Sequence, residues 1–284
     1  MPTTYAHYYY GSLVAERLPD DLKKIVNDYR QYYDIGVHGP DILFYHNPFA
    51  EDEMFQYSNA LHERTGKYFF TKQKEAFLHT LRKEELLAYL MGFCTHYSLD
   101  SACHTYIQKK EVTSGCSHGR IEAELDRHLL EVSGKTPAYK QDLTTHLHPS
   151  YDLASVVSLA FPAFSSDDIY HSLKRMVLCL KALQTPGDIK RTVYSFAAEP
   201  LNAELFHDMV ITKEPDERLL DCNLRCEKLM YKALEQCPEL VENLVAYLCG
   251  GEHLREGFDY TFGYHEGWED VPILSYEEEL NYEV

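Results

Sequence analysis

The chain has 284 residues, with 45 acidic against 27 basic side chains, a formal charge of −18 and 45% hydrophobic content. A chain of this length buries a sizeable core, and its composition excludes intrinsic disorder. Its acidity disfavours a protein that grips phosphate backbones or anionic leaflets through Lys and Arg, so nucleic acid is a poor candidate partner. Met1-Pro2-Thr3-Thr4-Tyr5-Ala6-His7 carries no basic or apolar leader signal, and the longest apolar stretch, Leu86 to Cys94, is far shorter than the roughly 20 residues that span a bilayer. The expectation is a cytoplasmic protein without a stable membrane anchor, its eight cysteines reduced.

Glycine and proline are sparse and apolar residues recur every three or four positions, which predicts an all-α fold. Asp20 to Tyr33 reads as one helix, with Leu22, Ile25, Val26, Tyr29 and Tyr33 on one side. Gly36, Gly39 and Pro40 mark a loop, and Glu51 to Leu81 reads as helix interrupted near Gly66. Glu84 to Lys110 is the strongest helical segment, and Ser117 caps the next, which stops at Gly134. Asp168 to Gln184 follows, and Glu217 to Cys249 reads as helix broken near Pro238. One α-helical domain over 1–284 is expected: a chemistry-bearing half, 1–134, packing helices over 135–249, and an irregular acidic tail, 250–284.

Fifteen histidines in an acidic chain make metal ligation the first chemistry to test, because neutral imidazole with carboxylate is a standard divalent-metal donor set. His96, Asp100 and His104 stand at i, i+4 and i+8, which a helix places along one face, and Gly92 one turn earlier is expected to leave that face uncrowded. His118 and Glu122 repeat the four-residue spacing at the start of the next helix. A single such pair is commonly a surface hydrogen bond, whereas two on consecutive antiparallel helices are how bundles build multi-metal sites. Cys222, Cys226 and Cys237 read as helix packing, and His146, His148, His171 and His207 have no partner spacing. The 23 tyrosines, Tyr8, Tyr9 and Tyr10 among them, could cage an organic cation but mostly read as core fillers with rim hydroxyls.

His96-Tyr-Ser-Leu-Asp100-Ser-Ala-Cys-His104 followed by His118-Gly-Arg-Ile-Glu122 resembles the zinc-dependent phospholipase C family, which shares its all-helical fold with fungal single-strand-specific nucleases. Secreted members usually place more residues between that Asp and its following His than the three found here. The resemblance implies a multi-helix bundle of that type holding two or three zinc ions. It carries over His7, Asp41 and His62, with His46 and His79 competing for the last position. The ligand sets it implies are Asp41, His62, His96 and Asp100 at one metal and His104, His118 and Glu122 at a second. A third set is His7, bridging Asp100 and the amine of Pro2, freed if Met1 is removed. Without the resemblance, Asp41 is equally well read as a turn or N-cap aspartate after Gly39-Pro40.

The implied activity is metal-assisted hydrolysis of a phosphodiester, a small molecule or a phospholipid headgroup, with Asp41 orienting or deprotonating the attacking water. Manganese or iron would suit the same donors. Two alternatives share the residues: a single-strand nuclease or nucleotidase, which the −18 charge disfavours, and a non-catalytic helical binding protein stapled by metal. The sequence leaves the oligomeric state open.

Overall fold

The computed structural model describes residues 4–48, 50–184 and 208–284. Among these the fold is all-α, as expected: helices joined by 3₁₀ turns and loops, with an isolated bridge between Thr65 and Thr261 in place of any sheet. The helices are α1 (Thr4–Arg17), α2 (Asp20–Asp28), α3 (Arg30–Gly36), α4 (Glu53–His62), α5 (Gly66–His79), α6 (Lys83–Ser114), α7 (His118–Val132), α8 (Tyr151–Ala160), α9 (Ser166–Leu183), α10 (Leu220–Gly250) and the short α11 (Tyr276–Glu279).

Helix α6 is the axis of the bundle. Every residue from Leu86 to Asp100 is buried, the mark of a helix enclosed on all sides. Helices α3 and α10 make its broadest contacts, and α1, α5, α7 and α8 also pack on it. Left-handed Gly115 (φ 67°) ends it, and the Ser117 side chain caps α7 by accepting from the Arg120 amide at 3.2 Å. The expected cap is therefore present, and only a short turn separates the two ligand-bearing helices.

Three expectations need correction. The segment Asp20 to Tyr33 is two helices that break at Tyr29 (φ −120°), so that α3 can turn onto α6. Gly92 belongs to that crossing and does not relieve the ligand face: a Cβ there would lie 2.3 Å from the Tyr33 carbonyl oxygen, and one on Gly36 would lie 2.2 Å from that of Tyr89. The third concerns Pro238, which lies inside an unbroken α10. Proline removes one backbone hydrogen bond at a cost of about 3 kcal/mol, but Leu234, Cys237, Val241 and Leu244 are fully buried around it, and fixing them in the core outweighs that loss.

The tail beyond α10 is firmly docked. Arg225 of α10 donates two hydrogen bonds to the fully buried Glu279 carboxylate, at 3.0 and 2.7 Å. Further back, the tail hydrogen-bonds to the α4–α5 junction: Gly66 N to Tyr260 O (3.0 Å), Phe262 N to Arg64 O (3.2 Å) and Gly263 N to His62 O (2.8 Å). Phe258 and Phe262 are thereby sunk into the aromatic packing of α5 and α6. Cys222 and Cys226 lie in the core, their sulfurs 3.9 Å apart.

Candidate metal centre

Five elements deliver the site. Helix α6 supplies His96, Asp100 and His104 from successive turns, and α7 supplies His118 and Glu122 from its first two. Helix α1 brings His7, and its start is held against α7 because the amides of Thr4, Tyr5 and Ala6 donate to the Asp126 carboxylate at 3.0, 3.0 and 2.7 Å. Asp41 sits in the 3₁₀ turn Gly39–Tyr45, which only a glycine can open: Gly39 has φ 50°, and a Cβ there would fall 2.2 Å from the His96 ring. His62 closes α4, whose Ser58 hydroxyl donates to Pro40 O at 3.0 Å and ties that helix to the Asp41 turn.

These side chains converge in three groups, each with donor atoms within 4.8 Å of one another: His7, His96 and Asp100; Asp41, His62 and His96; His104, His118 and Glu122. Asp100 joins them. Its carboxylate lies 3.2 Å from His7 Nε2, 3.6 Å from His62 Nε2, 3.0 Å from His96 Nε2 and 3.7 Å from His104 Nδ1. Glu122 Oε1 stands 3.2 Å from His118 Nε2 and 3.6 Å from His104 Nε2. Pro2 lies outside the described residues. The competitor His46 is bound to Asp52 at 2.6 Å and joins none of the groups, nor does His79.

The arrangement is not one of satisfied hydrogen bonds. His7 Nδ1, Asp41 Oδ2, both ring nitrogens of His96, Asp100 Oδ2 and Glu122 Oε2 are buried without a hydrogen-bond partner. His96 Nε2 and Asp100 Oδ2 are only 3.0 Å apart yet misaligned for a bond between them. Buried orphan atoms are costly, at about 1–3 kcal/mol each. Lone pairs that crowd together without facing one another are what a shared cation requires.

Carbonyls on the far side of two rings set their tautomers. His62 Nδ1 donates to Ser58 O at 2.8 Å and His104 Nδ1 donates to Phe262 O at 3.0 Å. Since a carbonyl only accepts, each ring turns an Nε2 lone pair inward, toward Asp41 Oδ1 (3.1 Å) and Glu122 Oε1 (3.6 Å) respectively. A lone pair facing a carboxylate needs a proton or a cation between them. Accordingly, burial draws the His62 pKa down, but the adjacent Asp100 and Asp41 carboxylates overcome it and raise it to about 10. His118 rises to about 9 against the same burial, through Glu122 and Glu111. Burial pushes the Asp100 carboxyl up, yet His104, His96 and His7 hold it well below the usual range, and His118 and His104 do the same for Glu122.

Sequence reading missed two contributors. Asp126 stands one turn beyond Glu122 on α7, so its helical phase could have placed it inward. The Phe262 carbonyl left no signal, because a backbone oxygen has no residue type. The buried, thiolate-free set of imidazoles and carboxylates, with its inward lone pairs, fits zinc.

Residues 6–161 match the family described as zinc dependent phospholipase C. No curated protein and no solved structure matches the chain. The matched span contains all eight described residues that converge here and ends at Phe161, before α9, α10 and the tail. It covers more than half of the chain, which therefore belongs to the zinc-dependent phospholipase C family.

Proposed function

We propose that this chain is a zinc-dependent phosphodiester hydrolase of the phospholipase C type, with two or three ions held by His7, Asp41, His62, His96, Asp100, His104, His118 and Glu122. The observation that carries the reading is the set of buried ligand atoms left without hydrogen bonds around Asp100. Bound zinc would supply positive charge for the phosphoryl oxygens and a water acidified to a pKa of about 7. Asp100 spans the groups and keeps its negative charge there. Asp41 Oδ2 is the unpartnered acceptor to which we assign the proton of the attacking water. His62 and His104 spend their Nδ1–H groups on Ser58 O and Phe262 O, so Nε2 is the nitrogen each turns inward, and zinc would take the place of the proton that His62 Nε2 holds in the metal-free protein.

The preferred substrate in this reading is a phosphodiester small molecule or a phospholipid headgroup; no helix among the described residues is long and apolar enough to cross a membrane. Metal content by elemental analysis, paired with hydrolysis of bis(p-nitrophenyl) phosphate before chelation, after chelation and after zinc return, tests it. Two or three zinc equivalents with turnover that follows zinc are expected. Zinc without turnover would favour a metal-stapled binding protein, nucleotide release from single-stranded DNA would favour the nuclease, and a protein that takes up no metal would overturn the reading.

A further inference from the structure

Beyond the metal centre, residues 259–269 of the tail curl around a cavity of about 620 Å³ lined by Tyr260, Tyr264 and Trp268 together with Asp259, Glu266 and Glu269. Tyr260 and Tyr264 are more than half exposed, at 57% and 52%, and Trp268 is half-buried. Tyr264 and Trp268 meet nearly at right angles, 68° between planes with centroids 5.9 Å apart, so they present differently oriented π surfaces.

The loop is fixed before any ligand arrives. His265 N donates to Thr105 Oγ1 at 3.1 Å and its Nε2 donates to Ser101 O at 2.8 Å, both on α6, while Thr261 Oγ1 donates to His265 Nδ1 at 3.0 Å. Lys109 also donates to the Glu269 carbonyl. Preorganisation of this kind removes the ordering cost that an exposed aromatic loop would otherwise impose on binding.

We infer that this cup binds an organic ammonium group, such as a quaternary amine. The chemistry of the lining selects it. Aromatic faces attract a soft cation, and nearby carboxylates add to the attraction. Three acidic side chains repel an anion. They do not form one of the clusters able to hold a metal ion, which lie elsewhere among the described residues. Elsewhere the chain satisfies tyrosine faces with its own cations, Lys72 over Tyr68, Lys74 over Tyr247 and Arg225 over Tyr282. In the cup, Lys67 neutralises Asp259 at 3.0 Å, but Glu266 and Glu269 have no ion pair among the described residues. The cup lies outside the span matched to the family, and none of its lining residues belongs to the metal groups.

Trp268 is the only tryptophan in the chain, so emission excited beyond tyrosine absorption reports on this site alone. The full chain is titrated with tetramethylammonium chloride, with sodium chloride as the ionic control and tert-butanol as a neutral molecule of similar shape. A saturable change with tetramethylammonium alone is expected, weakened about five- to tenfold in Tyr264→Ala and Glu266→Gln. Both side chains are exposed, and far-UV circular dichroism confirms that the variants stay helical. No saturable change, an equal response to tert-butanol, or unchanged binding in both variants would overturn the inference. Phosphatidylcholine vesicles then distinguish the source: a Trp268 response with co-flotation assigns the site to a lipid headgroup, and a response confined to the free ion assigns it to a soluble amine. Turnover is not read, so the result is independent of the hydrolase reading.

Discussion

Two clusters of buried histidine lie side by side in this fold and behave oppositely. Around Asp100, imidazoles and carboxylates crowd together while many of their polar atoms lack hydrogen bonds. Next to the Asp41 turn, His38 and His146 are also buried, but their Nε2 atoms share one hydrogen bond at 2.8 Å, and Tyr8 stacks on His146 with centroids 3.9 Å apart. Burial draws the His146 pKa down to about 3, with Arg30, His148 and Lys135 adding to the effect, and it draws His38 well below its usual value. Each place holds two buried imidazoles, His7 and His96 in the first and His38 and His146 in the second. What differs is the company: carboxylates beside one set create a need for cations, and a second neutral imidazole removes it from the other.

The most severe way to break this contrast is Asp100→Asn, which removes the charge shared by four imidazoles. We expect loss of metal equivalents by elemental analysis and a drop in phosphodiester turnover of about 10³-fold, the several kcal/mol that metal-ion stabilisation supplies. Next comes the tail. Phe262→Ala should loosen the carbonyl that orients His104 and weaken zinc binding by about 10- to 100-fold in chelator competition. Phe258→Ala removes an equally buried ring of the same tail that holds no ligand. Both variants should lose about 3–5 kcal/mol of stability, but only the first should lose zinc affinity; equal affinities would remove Phe262 from the site.

The pH dependence sharpens the comparison because the two clusters carry opposite signs. In metal-free protein, His62 (about 10) and His118 (about 9) lie above the unfolded value near 6.5. Their contribution to stability is complete below pH 6.5 and is lost as pH rises through 9 to 10. The His38–His146 pair is depressed, so the unfolded chain takes up protons first, and stability falls as pH drops from 6.5 toward 3 by up to about 1.4 kcal/mol per pH unit for each group. Denaturant midpoints from pH 4 to 10, with and without zinc, should show the alkaline loss only in the metal-free protein. The smallest effect is expected from His146→Gln, which should cost about 1 kcal/mol at pH 7 and flatten the acid limb while leaving zinc content unchanged. A variant that loses zinc would show the two clusters to be coupled.

How much of this could be read beforehand follows from distance along the chain. His96, Asp100 and His104, like His118 and Glu122, were legible because helical periodicity converts a four-residue spacing into one face. Asp41 and His62 came from resemblance, since nothing local marks Asp41 as more than a turn residue. The tail's role at His104 was invisible because its hydrogen bonds join residues far apart in sequence. His146 was set aside for want of a spaced partner, and its partner lies 108 positions away.

The sequence by itself determined the all-α class, the long α6, the Ser117 cap of α7 and the two halves of the ligand face, because propensity, capping and periodicity act over a few residues. Tertiary structure alone decided that the chain breaks at Tyr29 between α2 and α3 so that α3 crosses α6 at Gly92, that α10 continues through Pro238, and that the Phe262 carbonyl reaches His104. Those outcomes depend on burial against distant neighbours, and burial exists only once the chain has folded.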